Sequence, residues 1–364
     1  MGVDISVILP CRNEESSLGK CIKQIKSVFE KQKIKGEIIV SDSSTDNSPK
    51  IAKSQKVKLV KHDEKGYGIA ILKGIEKAKG SLIVIGDADG TYDFNELPLL
   101  LEKINQGYDL VLGNRLKGKI HKKAMPWLHR YIGNPFLSSI LNLFFKTKVH
   151  DSHSGFRIIK KKALKKLDLK TTGMEFASEM IIKAAKNKLK ITETPISYYP
   201  RKGKSKLKSF NDGWRHLRFM LMFSPTYLFF IPGIILFVIG FFLLTILLFG
   251  TIVVQGRNLG TYFLFLGSLL SVLGYQIINL GLYSRIYAIH TGFEKYDNII
   301  DIIADKVSFE RGIYIALIIL LISILIFLKD ISLSRMLFAL TLVIIAVQTL
   351  FSVFFISIML VEKK

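Results

Sequence analysis

The first 113 residues alternate between short apolar runs and longer amphipathic stretches. The runs are rich in Val, Ile and Leu and predict strands near residues 5–9, 37–41, 57–60, 81–86 and 109–113. Amphipathic stretches between them predict helices. Strands and helices in alternation form a doubly wound, mostly parallel sheet. We therefore expect an α/β fold for this part of the chain.

The pattern changes near Ser224, after which apolar residues predominate. Four stretches are long enough to span a bilayer, for which about 20 residues are needed; they are 226–250, 259–284, 312–328 and 336–361. Helices of a soluble core would need a polar face, and these have almost none. The sequence thus predicts a membrane domain of four helices over residues 226–364, with the lipid bilayer as a partner.

A basic segment joins the two parts. Residues 201–208 are rich in Lys and Arg, and the stretch that follows repeats Phe, Trp and Leu at helical spacing. This predicts an amphipathic helix in the lipid headgroup region, and a helix packed on the sheet is the alternative. The predicted domains are 1–200, 201–225 and 226–364.

Charge and the number of spans predict the orientation of the chain. Nearly all of the formal net charge of +23 lies before residue 226, and basic segments stay on the cytoplasmic side of membranes. An even number of spans places both termini on one side, and the N-terminus has no signal-peptide pattern. We expect a multi-pass protein of the cell membrane whose first domain and both termini are cytoplasmic.

The excess of lysine bears on the choice of partners. A basic field attracts phosphorylated ligands, anionic lipids or nucleic acid. The lysines are scattered over helix faces and are not interleaved with stacking aromatic residues, so we expect no nucleic-acid partner. Cys11 and Cys21 match no zinc or redox spacing and are expected to be reduced structural thiols.

Two carboxylates follow the fourth predicted strand. Asp87 and Asp89 come directly after the run 81–86, where open α/β sheets bind ligands. Like charges at this spacing, in a loop with no cationic neighbour, favour a hard divalent cation such as Mg²⁺ or Mn²⁺. Asp-x-Asp-Gly is also ordinary turn chemistry, but its place after a buried strand favours a ligand site. The pair predicts a metal site for a diphosphate.

A second acidic turn follows the second predicted strand. Asp46 or Ser44 can cap the backbone donors of the helix that begins there. Asp42 can instead accept a hydrogen bond from a nucleobase edge. We expect capping from Asp46 and base recognition from Asp42.

Three other kinds of site are disfavoured. No G-x-G-x-x-G follows the first strand, which argues against hydride transfer. Residues 113–119 have P-loop spacing, but Ile120 stands where a magnesium-binding hydroxyl is required. His150, Asp151 and His153 lack a further ligand at zinc-site spacing.

Several arginines stand beside Gly, Asn or Ser, where a second donor can approach the same phosphate. Guanidinium forks suit phosphate oxygens better than lysine does, although any single one is more often part of a surface ion pair. The candidates are Arg115, Arg130, Arg157 and Arg201.

These motifs resemble the polyprenyl-phosphate glycosyltransferases, the dolichyl-phosphate mannose and glucose synthase group of family 2 glycosyltransferases. The resemblance covers the polar part and extends into the membrane part. Besides the Asp42 turn, it is carried by PCRNEE at 10–15, KGYG at 65–68, GDADGTYD at 86–93, GNR at 113–115, HRYIGN at 129–134, DSHSGFR at 151–157, GMEFASEM at 173–180 and DGWRHLR at 212–218.

The resemblance implies a GT-A fold and the inverting transfer of a hexose from a nucleotide sugar to a polyprenyl or dolichyl phosphate. The product would be a lipid-linked sugar donor for glycan assembly. The nucleotide-sugar site implied is Pro10, Arg12, Glu14, Val40, Asp42, Asp87, Ala88, Asp89, Arg115, Arg201 and Lys206. The lipid phosphate would be held by Arg115, Arg130, Asn134 and Arg201. Asp87 and Asp89 would hold Mg²⁺ or Mn²⁺, and the catalytic residues implied are Asp89, Arg115 and Arg130.

One departure from the group concerns the metal and the donor. Mannose synthases of the group usually have Gln two residues after the second Asp, whereas this chain has Thr91. Whether Thr91 or Asp93 completes the metal site is therefore open. The Gly-Thr-Tyr-Asp version resembles the glucose synthase branch, which favours a UDP-sugar, with UDP-glucose first and GDP-mannose as the alternative. Glu175 and Glu179 either contact sugar hydroxyls or hold a helix face.

Two other functions remain as alternatives. A processive polysaccharide synthase would also join this fold to membrane helices, but the Gln-x-x-Arg-Trp motif of such enzymes is absent from the sequence. A transporter with a regulatory sheet domain is disfavoured because the spans contain few polar residues, with Gln255, Gln276, Asn279 and Gln348 as the amides. A homo-oligomer is left open, since the apolar spans with scattered Gly can pack within one chain or between chains.

Overall fold

The computed structural model describes residues 3–203, 209–250, 253–254, 257–258, 260–290, 309–329 and 332–361. Lys206, which the resemblance places in the nucleotide-sugar site, lies outside these residues. The chain forms two units, Met1–Met220 and Leu221–Lys364.

The first unit is built on a seven-stranded sheet. Its strands are β1 (Ile5–Cys11), β2 (Gly36–Asp42), β3 (Lys58–Lys61), β4 (Leu82–Ile85), β5 (Leu110–Asn114), β6 (Arg157–Lys160) and β7 (Ile191–Pro195). Their spatial order is β3-β2-β1-β4-β6-β5-β7. β6 runs antiparallel to β4 and β5, and the other described pairings of this sheet are parallel. The predicted mostly parallel α/β sheet is confirmed, and β6 and β7 are additions to the five predicted strands.

Helices connect these strands or, in the case of the last one, follow them. They are α1 (Leu18–Lys31), α2 (Ser48–Ser54), α3 (Tyr67–Lys77), α4 (Leu97–Asn105), α5 (Asn134–Phe145), α6 (Lys161–Lys165), α7 (Phe176–Lys186) and α8 (Ser209–Met222). A 3₁₀ turn, Phe94–Glu96, precedes α4, and a π-helical turn, His129–Gly133, precedes α5. α1 shows why such segments fold as helices: its buried residues recur every three or four positions and form one face against the sheet.

The core of this unit lies on the central strands. Ile5, Val7, Ile8 and Leu9 of β1 are all at most 2 % exposed, so both faces of the strand are covered. Parallel strands buried on both faces need continuous apolar runs, because neither face meets water. The run that predicted β1 thus has its physical cause in this burial.

The strand directions bring the predicted site segments to one edge of the sheet. Five strands end at that edge: β1, β2, β4, β5 and β7. They run in the same direction, because β1 pairs parallel with β2 and β4, β5 pairs parallel with β7, and both β4 and β5 are antiparallel to β6. β6 begins there. The segments that meet at the edge therefore follow five strands and precede one, and they contain Glu14, Asp42, Asp87, Arg115, Asp151 and Arg201.

The second unit contains four helices long and apolar enough to cross a membrane. The first apolar helix, Ile231–Ile246, continues from a π-helical turn, Thr226–Phe230; the second, third and fourth apolar helices are Gly260–His290, Phe309–Lys329 and Leu333–Val361. The predicted four-helix region is confirmed.

Glycines let the first and second apolar helices approach closely. A Cβ atom on Gly240 would meet the backbone of Ser271 and Gly267, and one on Gly274 would meet the backbone of Phe237. Small residues permit such backbone contact between membrane helices. These glycines therefore serve packing within one chain.

Candidate active site

The two aspartates after β4 have different surroundings. Asp89 Oδ1 accepts hydrogen bonds from Thr91 N at 3.0 Å and Thr91 Oγ1 at 2.6 Å. Asp87 Oδ1 is buried and has no partner among the described residues. Burial, and then the negative charge of Asp89, raise the pKa of Asp87 to about 7. A buried carboxylate oxygen without a donor is costly, so this position calls for a cation.

The sequence predicted that the loop with Asp87 and Asp89 has no cationic neighbour, and this prediction is wrong. Arg201 Nη1 lies 3.3 Å from Asp89 Oδ2, and Arg201 Nη2 forms an ion pair with Glu14. Arg201 follows β7 and Glu14 follows β1, so the contact is made by the sheet edge and is invisible in the local sequence. Glu14, Asp89 and Arg201 thus form one ionic cluster.

The donor set fits a hard divalent cation bound with a diphosphate. Asp87 and Asp89 offer carboxylate oxygens, which Mg²⁺ and Mn²⁺ prefer. The described residues contain no group of three or more His, Cys, Asp or Glu placed to hold a metal ion. Mg²⁺ bound to a phosphorylated substrate typically has one or two protein carboxylates as ligands. Phosphate oxygens and water occupy its other coordination positions.

Thr91 and Asp93 hold local structure at this site. The hydroxyl and backbone N–H of Thr91 both donate to Asp89 and so fix its carboxylate. Asp93 Oδ1 accepts from Asn95 N at 3.1 Å, Asn95 Nδ2 at 2.8 Å and Gln24 Nε2 at 2.8 Å, which caps the turn Phe94–Glu96. Thr91 therefore orients a metal-ligand candidate, while Asp93 Oδ1 is already engaged.

Gly155 lets the loop before β6 approach Asp87. A Cβ atom there would lie 2.5 Å from Asp87 Oδ2, closer than real Cβ contacts allow. Gly155 N also donates to the Tyr92 hydroxyl at 2.7 Å. The Tyr67 hydroxyl interacts with the Asp87 carboxylate and opposes the rise of its pKa. Asp87 is thus flanked by groups from two other segments, the loop before β6 and the start of α3.

A cavity opens beside the ends of β1 and β2. Its volume is about 670 Å³, and its lining is Arg12, Asn13, Ser43, Ser44, Thr45, Asp46, Pro49, Lys50, Lys61, His62, Asp63 and Lys65. Asp42 lies buried next to this lining; its Oδ1 accepts from Ser44 Oγ at 2.6 Å, and its Oδ2 has no partner in the described part of the chain. Asp42 Oδ2 is therefore an unused acceptor of the kind that a nucleobase N–H could fill.

The other residues implied for the nucleoside pocket differ in their burial. Pro10 is half-buried near the end of β1, Ala88 is buried between the two aspartates, and Val40 packs in the hydrophobic core. Asp46 caps as expected, because its Oδ1 accepts from Ser48 N at 2.9 Å at the start of α2.

Arg115 is bound on two sides by Asp151. Arg115 Nε donates to Asp151 Oδ2 at 2.8 Å and Nη2 donates to Asp151 Oδ1 at 2.7 Å. The guanidinium also lies 5.0 Å from the centre of the Tyr198 ring. The charge of Asp151 holds the pKa of Arg115 well above its usual value despite burial. Asp151, considered from sequence only as a zinc ligand, is thus the counter-ion of a site arginine.

Arg130 and Asn134 lie on the segment that enters α5. Arg130 lies 5.1 Å from the Tyr131 ring centre, and Asn134 Nδ2 donates to Met125 Sδ at 3.6 Å. Among the described residues, no hydrogen bond or ion pair joins either of them to Asp87 or Asp89. The structure therefore does not bring these two residues into direct contact with the acidic pair.

The same segment presents a large apolar surface that sequence reasoning missed. Its exposed side chains include Trp127 at 66 %, and the set is Trp127, Leu128, Tyr131, Ile132, Phe136 and Leu143. Several large apolar side chains exposed within one segment are typical of contact with membranes or partners. Of this set, Phe136 and Leu143 were visible in the sequence as apolar residues of α5 beyond Leu137 and Leu141, which that helix buries.

Arg157 and Glu179 have structural roles. The three donor positions of Arg157 bind the carbonyl oxygens of Ser154, Ala177 and Ser152 at 2.6 to 2.8 Å. Glu179 is fully buried, pairs with Lys183 at 2.8 Å and accepts from Thr171 Oγ1 at 2.6 Å. Neither group is available to grip a substrate.

Glu175 differs from Glu179, because its Oε2 is buried without a partner among the described residues. It lies in the loop that packs on the start of α3, where a Cβ on Gly66 or Gly68 would meet the carbonyl oxygens of Thr172 or Thr171. Of the two glutamates, Glu175 is the one with capacity left for a sugar hydroxyl.

A polar contact joins α8 to the DSHSGFR segment. Ser178 Oγ and His216 Nδ1 are 2.9 Å apart, and the His153 and His216 rings meet at 4.2 Å in edge-to-face geometry. Burial and neighbouring cations hold the pKa of His153 well below its usual value, so it is neutral at pH 7. The buried face of α8 thus carries His216 and Met220, while Trp214 is exposed.

Comparison with known proteins agrees with this geometry. The family described as Glycosyl transferase family 2 matches residues 6–168. The low-salt glycan biosynthesis hexosyltransferase Agl6 of Haloferax volcanii is 42 % identical over 318 residues, which cover 87 % of this chain and 76 % of that protein. The dolichyl-phosphate hexose transferase of the same organism is 30 % identical over 212 residues, covering 58 % of this chain and 89 % of that one.

A solved structure supports the fold. Mannosyl-3-phosphoglycerate synthase from Rubrobacter xylanophilus superposes with a TM-score of 0.50 at 18 % identity, over 60 % of this chain and 73 % of that one. The predicted GT-A fold is confirmed. The sheet, the sequence match and the long similarity to Agl6 together show that the chain belongs to glycosyl transferase family 2, which confirms the resemblance carried by its motifs.

Proposed function

We propose that the protein transfers a hexose from a nucleotide sugar to a polyprenyl or dolichyl phosphate and thereby makes a lipid-linked sugar for glycan assembly. The observation that carries this proposal is the acidic pair at the sheet edge, in which Asp87 keeps a buried oxygen unpaired and Asp89 is held by Thr91 and Arg201. Such a pair suits the metal-bound diphosphate of a donor.

The donor we propose is a UDP-sugar, with UDP-glucose first. The cavity beside β1 and β2 and the unused acceptor Asp42 Oδ2 support a nucleoside at this place. The Gly90-Thr91-Tyr92-Asp93 sequence resembles the glucose synthase branch, and Glu175 Oε2 supports a contact with a sugar hydroxyl. GDP-mannose is the alternative donor, and a transfer assay with each donor distinguishes the two.

The acceptor explains why no strong general base is needed. A phosphate monoester is already anionic at neutral pH, so its oxygen can attack the anomeric carbon directly. The new carbon–oxygen bond forms as the bond to the diphosphate breaks, and the electron pair leaves with the nucleoside diphosphate. Attack from the opposite side inverts the anomeric centre. Catalysis then depends on positioning and on stabilising the leaving group.

The residues of the chain divide this work. Asp87 and Asp89 would hold Mg²⁺ or Mn²⁺, which would neutralise the leaving diphosphate as a Lewis acid. Arg201 and Arg115 are two cations at the sheet edge that would bind phosphate oxygens, and Arg130 with Asn134 would hold the lipid phosphate. Asp151 keeps the Arg115 fork in place, which fixes one donor before the substrates arrive.

A lipid acceptor also accounts for the rest of the chain. We propose that the four apolar helices span the cell membrane, with the first unit and both termini on the cytoplasmic side. The exposed apolar surface from Trp127 to Leu143 supports contact of this segment with lipid. Protease accessibility of the first unit in sealed inside-out and right-side-out vesicles tests the orientation.

The function is tested by transfer of radiolabel into organic-extractable lipid. Membranes with the wild type, Asp89→Asn or the control Asp93→Asn are incubated with dolichyl phosphate, Mn²⁺ and one of UDP-glucose, UDP-N-acetylglucosamine or GDP-mannose. We expect a UDP-sugar to label lipid, with loss of labelling in Asp89→Asn and with chelator but not in Asp93→Asn. Label from GDP-mannose would identify a mannose synthase, insoluble polymer would identify a processive synthase, and no label from a folded protein would overturn the proposal.

A further inference from the structure

The second and fourth apolar helices carry an amide pair at mid-length. Gln276 lies near the middle of Gly260–His290 and Gln348 near the middle of Leu333–Val361. Gln348 Nε2 donates to Gln276 Oε1 at 3.0 Å. Because both helices are long enough to cross the bilayer, the pair belongs at the depth where polar groups are most costly.

The hydroxyl side chains that face each other between these two helices are paired within the chain, whereas Gln348 Oε1 and Asn279 Nδ2 are buried without a hydrogen-bond partner among the described residues. Hydroxyl pairs join the helices at 2.6 to 2.7 Å, namely Ser268 with Thr341, Tyr275 with Thr349, and Tyr283 with Ser352. The hydroxyl pairs therefore need no group from outside.

Gln276 is different. Its side chain is exposed on the surface of the second unit, and its oxygen is taken by Gln348. Its amide nitrogen, with two N–H groups, makes no hydrogen bond in the part of the chain that the structure describes. Lipid hydrocarbon offers the exposed side of an amide nitrogen no acceptor, and a polyprenyl tail supplies none either. The exposed amide therefore calls for a protein partner in the membrane.

Exposed apolar side chains surround Gln276, as at the contacts between membrane helices. On the second apolar helix, Leu273 and Leu280 precede and follow it by about one turn and are 45 % and 43 % exposed. On the fourth, Val347 and Phe351 flank Gln348 and are 46 % and 66 % exposed. An apolar stripe with one amide at its centre is a known way for membrane helices to associate.

A second copy of this chain is the partner that the chemistry favours. A glutamine amide carries both a donor and an acceptor with two lone pairs. A two-fold axis places the same surface on both sides, so the N–H of one Gln276 can meet the oxygen of the other, and the reverse. We propose that two copies associate in the membrane through the second and fourth apolar helices, with their Gln276 side chains hydrogen-bonded to each other.

The association is tested with the full chain in lipid vesicles, by Förster transfer between labelled copies as the lipid-to-protein ratio is raised. We expect Gln276→Leu to raise the dissociation constant at least about threefold, the effect of one interhelical hydrogen bond in a membrane. Thr245→Val is the matched control, because that hydroxyl is satisfied within its own helix by Phe241 O at 2.7 Å. A wild type that stays monomeric, or an association equal in wild type and Gln276→Leu, would overturn the proposal.

Cross-linking locates the contact without removing the amide. We expect Leu273→Cys to form a disulfide between copies under mild oxidant, whereas Ile239→Cys, near the middle of the first apolar helix and 47 % exposed, should not. The native Cys11 and Cys21 are buried and do not compete. Cross-linking at Ile239→Cys but not at Leu273→Cys would place the contact on another face and overturn the proposal.

Discussion

The guanidinium of Arg115 and the carboxylate of Asp151 form a two-pronged ion pair at the edge of the sheet, with N···O distances of 2.8 and 2.7 Å. Their side chains are 8 % and 0 % exposed. Arg115 N also donates to Asp151 Oδ2 at 2.9 Å, so the end of β5 and the loop before β6 are fastened to each other. Because the pair is buried, loss of either partner would leave the other charge without compensation in a site that water does not reach.

Removing Asp151 should therefore cost stability as well as activity. We expect Asp151→Ala to lower the free energy of unfolding by about 3–5 kcal/mol, because it leaves a buried cation without a partner. Asp168→Asn is the control, because Asn tolerates the left-handed backbone of this position: Asp168 pairs with Lys170 at 3.1 Å but its side chain is 69 % exposed, so loss of its charge should cost less than about 1 kcal/mol. Thermal unfolding of the purified full chain measures both, and equal shifts would contradict this role for the pair.

Thr91 should matter through Asp89. Thr91→Val removes the 2.6 Å hydrogen bond from Thr91 Oγ1 to Asp89 Oδ1 while keeping the shape of the side chain. We expect the affinity for Mn²⁺ to fall about threefold to tenfold, the effect of one typical intramolecular hydrogen bond. The measurement is a Mn²⁺ titration of the transfer reaction or of the Mn²⁺ resonance signal.

Thr147→Val serves as its control, since Thr147 bonds Asn142 at 2.6 Å in the loop after α5. An unchanged affinity in Thr91→Val would show that the Thr91 hydroxyl does not orient the metal-ligand candidate.

The raised pKa of Asp87 predicts opposite effects of pH on the metal-free and metal-bound protein. In the unfolded chain an aspartate titrates near its ordinary value of about 4, whereas burial and Asp89 raise the pKa of Asp87 to about 7 in the folded chain. Between these two values the folded state binds more protons, so this group lowers stability as pH rises from about 4 to about 7. Mn²⁺ competes with the proton, so its affinity should rise over the upper part of that range.

Thermal unfolding at pH 5 and pH 8, with and without Mn²⁺, measures this coupling. The stabilisation by Mn²⁺ should be larger at pH 8, and Asp87→Asn should abolish the difference. A stabilisation that is the same at both pH values in the wild type would refute the coupling.

Both cysteines should be inert toward thiol reagents. Burial raises the pKa of Cys11 and of Cys21 to about 12, so almost no thiolate is present at pH 8. We expect maleimide to label neither in the folded chain and both after denaturation, as read by mass spectrometry. Ser54→Cys, at an exposed position of α2, provides a thiol that should react at once. Labelling of Cys11 or Cys21 at the rate of that control would contradict their burial.

Much of the fold could be predicted because it depends on local pattern. The strands β1, β2 and β4 are continuous apolar runs, and the four apolar helices are long stretches without polar faces, so each is visible within a short window of sequence. The strands β6 and β7 were not predicted, because Arg157–Lys160 is short and half of its residues are charged, and Ile191–Pro195 contains Thr and Glu. Such segments become strands because neighbouring strands supply their hydrogen bonds.

The site was predictable in part, for the same reason. Asp87, Asp89 and Asp42 were found because they follow recognisable strands. The counter-ion role of Asp151, the exposed surface from Trp127 to Leu143 and the structural role of Arg157 were not found. Each depends on what faces the side chain in space.

The sequence by itself determined the α/β alternation, the four apolar helices, the acidic pair and the family motifs, because each is written in side chains close together along the chain. Only the tertiary structure decided that Arg201 meets Asp89 and Glu14, that Asp151 neutralises Arg115, and that Gln276 is left exposed beside Gln348. These contacts join residues far apart in sequence. They form because strand order and helix packing bring these residues together, and the local sequence around each residue does not indicate which distant residue it will contact.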